Sequence, residues 1–106
     1  MASRASFALN DDRSAGRDEV HFRAKGFGPD AKPVALVIVN MSAMGLMARC
    51  EISYQPGDRI SIQLPILGTV SAQIRWSLGG RIGCELDRSI ELADYYELLA
   101  VMLKAR

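Results

Sequence analysis

Five short segments of this chain carry an apolar residue at every second position, and turn-forming residues interrupt the pattern between them. A period of two belongs to a β-strand with one buried face; a helix repeats near 3.6 and cannot keep that face dry. In EVHFRAK, Val20, Phe22 and Ala24 share one side, while His21, Arg23 and Lys25 share the other. GLMARCEI sends Leu46, Ala48, Cys50 and Ile52 to one face, and RISIQLP does the same with Ile60, Ile62 and Leu64. TVSAQIRW aligns Val70, Ala72, Ile74 and Trp76, and RIGCELD aligns Ile82, Cys84 and Leu86. A sixth segment, VALVIVN, is apolar on both sides and reads as a central strand or one covered from outside. GFGPDAKP, YQPGD and SLGG break the chain, the last as a hairpin connection.

Six short, regularly spaced strands predict an all-β chain, and closure into an antiparallel barrel removes the exposed edges that a small sandwich would leave. At 106 residues and 49% hydrophobic content, one domain with one core is expected. The barrel is assigned to residues 19–106 and ends in a helix over 90–104. There Leu92, Tyr95, Tyr96, Leu99, Met102 and Leu103 recur at spacings of three and four. Ser89 is the expected N-cap, with Glu91 in the first turn. The outward side of VALVIV is the expected partner of the helix. Residues 1–18 are small, polar and charged, the composition of a flexible arm.

The catalytic inventory is thin, so the protein is not expected to be an enzyme. Its single histidine, His21, sits among charged neighbours on a polar strand face, and no nucleophile–base pair is evident. One histidine, two inward-pointing cysteines and scattered carboxylates make no metal set, and no cofactor is expected. A net charge of +1 provides no bulk attraction to a nucleic acid polymer, and aromatics are only 7%. No apolar run approaches the roughly 20 residues needed to cross a bilayer, so no membrane insertion is expected. MASRASFALNDDRSAGRDE has no hydrophobic leader core, which predicts a cytoplasmic protein with Cys50 and Cys84 as reduced, buried thiols.

Two short patterns are left over. The arm contains RSAGR, with Arg13 and Arg17 four residues apart, and the end of VALVIVN runs into NMSAMG, with Asn40, Ser42 and Gly45. Asn, Ser and Gly are ordinary turn residues, but both patterns, in this order and on a small barrel, resemble the PilZ domains, bacterial receptors for the second messenger cyclic di-GMP. The resemblance runs from about Arg13 to the C-terminal helix. R-x-x-x-R matches Arg13 and Arg17, and [D/N]-x-S-x-x-G matches Asn40, Ser42 and Gly45. IRWSLGGRIGCEL is similar to the family's late hairpin.

The resemblance implies a six-stranded barrel with a C-terminal helix, and a cyclic di-GMP site. Arginine's planar fork fits a phosphate and also the N7/O6 edge of guanine, so Arg13 and Arg17 are expected to clamp the ligand from the arm. Asn40 and Ser42 are expected to give polar contacts from the barrel. Gly45 is expected to permit positive φ and close ligand approach. Trp76 reads either as core packing beside Ile74 or as a stacking surface for a base. Ligand binding is expected to order the arm and change a surface for a downstream protein partner. Asp12, where some relatives carry a cation that holds a second ligand, implies one ligand per chain. The alternative is a ligand-independent adaptor that docks a partner through the barrel or through Tyr95 and Tyr96.

Overall fold

The computed structural model describes residues 17–104. All six expected segments form strands: β1 (Asp18–Phe27), β2 (Pro33–Met41), β3 (Gly45–Arg49), β4 (Arg59–Leu64), β5 (Gly68–Leu78) and β6 (Arg81–Leu86), followed by α1 (Leu92–Lys104). They close into an antiparallel barrel in the order β1-β2-β3-β6-β5-β4. The last seam joins Gly26 to Ile62 and Phe27 to Ser61. The barrel takes Asp18, the last residue assigned to the arm, into β1.

The alternation predicts the core well. Leu36, Ile38, Met41, Ile62, Ile74 and Ile82 are fully buried, together with Leu98 and Met102 of α1. Each such side chain contributes roughly 1.5–3 kcal/mol on leaving water, far more than any single surface interaction on this barrel. SLGG closes the β5–β6 hairpin with Gly79 and Gly80 at φ of 61° and 78°, the positive values that a two-residue hairpin requires. Among the described residues no helix is long and apolar enough to cross a membrane.

Five expectations are corrected. Ile52 is not inward: β3 stops at Arg49, and Ile52 is exposed. The helix starts at Leu92 rather than 90, and the Tyr95 N–H donates to the Glu91 carbonyl, so Glu91 rather than Ser89 occupies the cap position. Its buried stripe is Tyr95, Leu98 and Met102, while Leu92, Tyr96 and Leu103 face outward. This splits the proposed docking pair, because Tyr95 belongs to the core. The helix also packs mainly against β1 and does not cover the outward side of β2, where Ala35 is exposed and Val37 and Val39 are half-buried.

Both cysteines are free and buried. Burial pushes the Cys84 thiol up to about 12 from its ordinary 9.0, and the nearby Cys50 adds to the shift. Between these values the folded chain holds a proton that the unfolded chain has lost, so stability is complete below pH 9 and falls as pH rises towards 12. One such group gives a slope of up to about 1.4 kcal/mol per pH unit. Urea midpoints measured across this range should fall less steeply for Cys84→Ala than for the native chain; equal slopes would refute the assignment.

Candidate functional site

The strand ladders are interrupted in three places: between Glu19 and Phe22 on β1, between Ile38 and Asn40 on β2, and between Ile74 and Trp76 on β5. All three flank one outward row across the sheet, in which Glu19 pairs with Asn40, Asn40 with Met47, Met47 with Gly83, and Gly83 with Trp76. A bulge adds a residue to one strand and so exchanges the two faces beyond it. Counting by twos from buried Ile38 would bury Asn40; the extra residue, Val39, turns Asn40 outward and returns Met41 to the core, where it is 0% exposed. Counting from buried Ile74 would bury Trp76 as well. Arg75 is the extra residue there, and Trp76 is 39% exposed. Its indole lies against Gly83, where a β-carbon would collide with the ring. Trp76 therefore lies on the outer barrel wall and is not core packing.

Asn40, Ser42, Gly45 and Trp76 border one depression of about 250 Å³, together with Arg17. Arg13 lies outside the described residues. The sequence reading missed Arg75, Glu85 and Gly83, which line the same depression. Arg75 donates through Nε to Glu85 Oε1 at 2.7 Å, with Nη2 on the same oxygen. The described wall thus carries two guanidinium groups against one carboxylate. IRWSLGGRIGCEL contains all three missed residues, but only the pairing of β2 with β3 and of β3 with β6, together with the bulge at Arg75, makes them neighbours of Asn40.

The NMSAMG turn is built by Ser42. Its Oγ accepts from the N–H groups of Met44 and Gly45, both at 3.2 Å, and its own N–H donates to the Gly45 carbonyl at 2.9 Å. The turn is pinned from outside by Leu86 N–H on the Met44 carbonyl and Ile90 N–H on the Ala43 carbonyl. Gly45 is not at positive φ, which corrects that expectation. It is needed for space: a β-carbon there would strike the Cys84 carbonyl oxygen on β6.

The Tyr95 hydroxyl reaches this end of the barrel from α1. It donates to Asp18 Oδ2 at 2.7 Å and lies 3.1 Å from the Met41 carbonyl. Asp18 follows Arg17, and Met41 stands between Asn40 and Ser42, so one hydroxyl braces both halves of the site. Burial, then the Asp18 contact, push the Tyr95 pKa above its ordinary value, so the hydroxyl keeps its proton at neutral pH. Tyr95→Phe should cost about 1–3 kcal/mol, because the part-buried Asp18 carboxylate loses its donor; an unchanged urea midpoint would show that the brace carries no load. Among the described residues no three His, Cys, Asp or Glu side chains gather as a metal would require.

Fold and site together define a class, a small closed β-barrel with a bulge-shaped, cationic polar depression on its wall. No family model matches the chain, and no curated protein matches it.

Proposed function

We propose that this chain is a cytoplasmic, PilZ-type receptor for cyclic di-GMP, with the depression as the barrel-side wall of its site. The supporting observation is that Arg17, Asn40, Ser42, Gly45 and Trp76, scattered along the sequence, border a single depression. In this reading Arg17 places its fork on a phosphate or on the N7/O6 edge of a guanine. Trp76, held from behind by Gly83, offers its free face to a purine. The Asn40 amide both donates and accepts, as a guanine edge requires. Ser42 serves the site by shaping the turn, and Gly45 by letting β3 approach β6.

At about 250 Å³, the depression is smaller than the roughly 300–1,000 Å³ pockets that enclose drug-sized ligands. A cyclic dinucleotide would be half covered by this wall and closed from the other side by the segment carrying Arg13. Ligand binding then draws Arg13 and Arg17 onto the barrel and changes the surface beside α1, through the brace at Asp18. The output is a protein contact. The reading involves no catalysis and no cofactor.

Isothermal titration calorimetry of the full chain with cyclic di-GMP tests the reading. Saturable heat with one ligand per chain is expected, and the absence of heat would refute it.

A further inference from the structure

One row along the outward sequence positions from the site row, the ladders align Arg23 with Val37, Val37 with Arg49, Arg49 with Arg81, and Arg81 with Leu78. All three arginines are exposed, as is Leu78. Like charges directly opposite one another on a sheet face destabilise it, and Arg49 faces Arg81 across the β3–β6 ladder. Among the described residues the ion pairs are Arg59–Asp87 and Arg75–Glu85, neither of which relieves this row. Beside the row is a groove of about 840 Å³ over the outward sides of β1 and β2 and the end of β3. Its floor includes Ala35 and Val37, the apolar face that α1 leaves uncovered; its charged lining is Arg23, Lys25, Arg49 and a single acid, Glu51, with His21 at one end.

The geometry points to a second binding surface: this groove takes an extended, acidic segment of a partner protein, with carboxylates on Arg23 and Arg49 and an apolar side chain between them on Val37. Neighbouring strands lie about 4.8 Å apart, so Arg23 and Arg49, two strands apart, stand roughly 10 Å from each other at the backbone. That separation matches carboxylates three residues apart on a segment in the polyproline II conformation, which rises about 3.1 Å per residue and returns to the same side every third residue. Arginine binds carboxylate in a two-pronged fashion, which compensates for the repulsion stored in the row. A bilayer is too flat to fill a groove, and the lining has no aromatic platform for nucleic acid bases. Residues 1–16 of the chain itself are a poor match, since Asp11 and Asp12 are balanced by Arg4 and Arg13.

The test is fluorescence anisotropy of the full chain, without nucleotide, against a short labelled peptide with glutamates at every third position and valine and serine between. Because no nucleotide is present, the outcome is independent of the cyclic di-GMP reading. Saturable binding is expected, with at least a tenfold loss in Arg49→Glu and in Arg23→Glu, and a similar loss when glutamine replaces glutamate in the peptide. Arg81→Glu should melt at a higher temperature than the native chain and bind the peptide more weakly, a combination that a purely structural arginine does not give. The proposal is overturned by no binding, by equal binding of the glutamine peptide, or by a lower melting temperature for Arg81→Glu. It is also overturned if an oligothymidylate or phosphatidylserine vesicles bind with the same arginine dependence while the peptide does not. Peptide binding that appears only after residues 1–12 are deleted would give the groove to the chain's own N-terminal segment and equally overturn it.

Discussion

Arg17→Ala should weaken cyclic di-GMP binding roughly tenfold to a hundredfold, the effect of losing a bidentate pair worth about 1–3 kcal/mol. The melting temperature should hardly move, because Arg17 is exposed and lies just before β1. Arg17→Lys separates charge from shape. Lysine keeps the positive charge but not the planar fork, so its affinity should fall between those of the native chain and Arg17→Ala. Calorimetry measures all three. Equal affinities would show that Arg17 lies beside the ligand without holding it. A lysine variant as good as arginine would reduce the contact to simple charge attraction, which rising salt should then abolish.

Gly45→Ala should destabilise the fold by about 1–3 kcal/mol, the usual range for forcing extra volume into a packed position. Its added methyl meets the carbonyl oxygen of Cys84, a backbone atom in the neighbouring strand that no rotamer change can move aside. Gly45 opens β3 opposite Glu85, and its neighbour Leu46 pairs with Cys84. Relief therefore requires β3 and β6 to separate where the barrel wall forms the depression. Urea denaturation should show a lowered midpoint, and the same variant should lose ligand affinity because the wall has moved. Native stability in Gly45→Ala would mean that the two strands are farther apart than described.

Much of the fold was legible because alternation is a local record of burial. Val20, Ala24, Leu46, Ile60, Ile62 and Ile74 each occupy the face assigned to them by counting in twos. SLGG was legible for a similar reason, since adjacent glycines satisfy the positive φ angles of a tight hairpin. The helix was less so. Its apolar residues cover more than one face, and spacing alone does not distinguish buried Leu98 from exposed Leu92. That choice depends on which side of α1 meets β1.

By itself, then, the sequence determined six strands, their inward faces in the regular stretches, the turns, and the two short patterns that resemble a nucleotide-binding family. Only the tertiary structure decided which way Asn40 and Trp76 face. Each is two residues from a fully buried isoleucine and by period belongs inside; each is turned outward by one extra residue in its own strand. A bulge is defined by the partner strand, because it is the count opposite that makes a residue extra. It leaves no mark in the local period, so the pairing of β2 with β3 and of β5 with β6 was needed to place the amide and the indole on the same wall as Arg17.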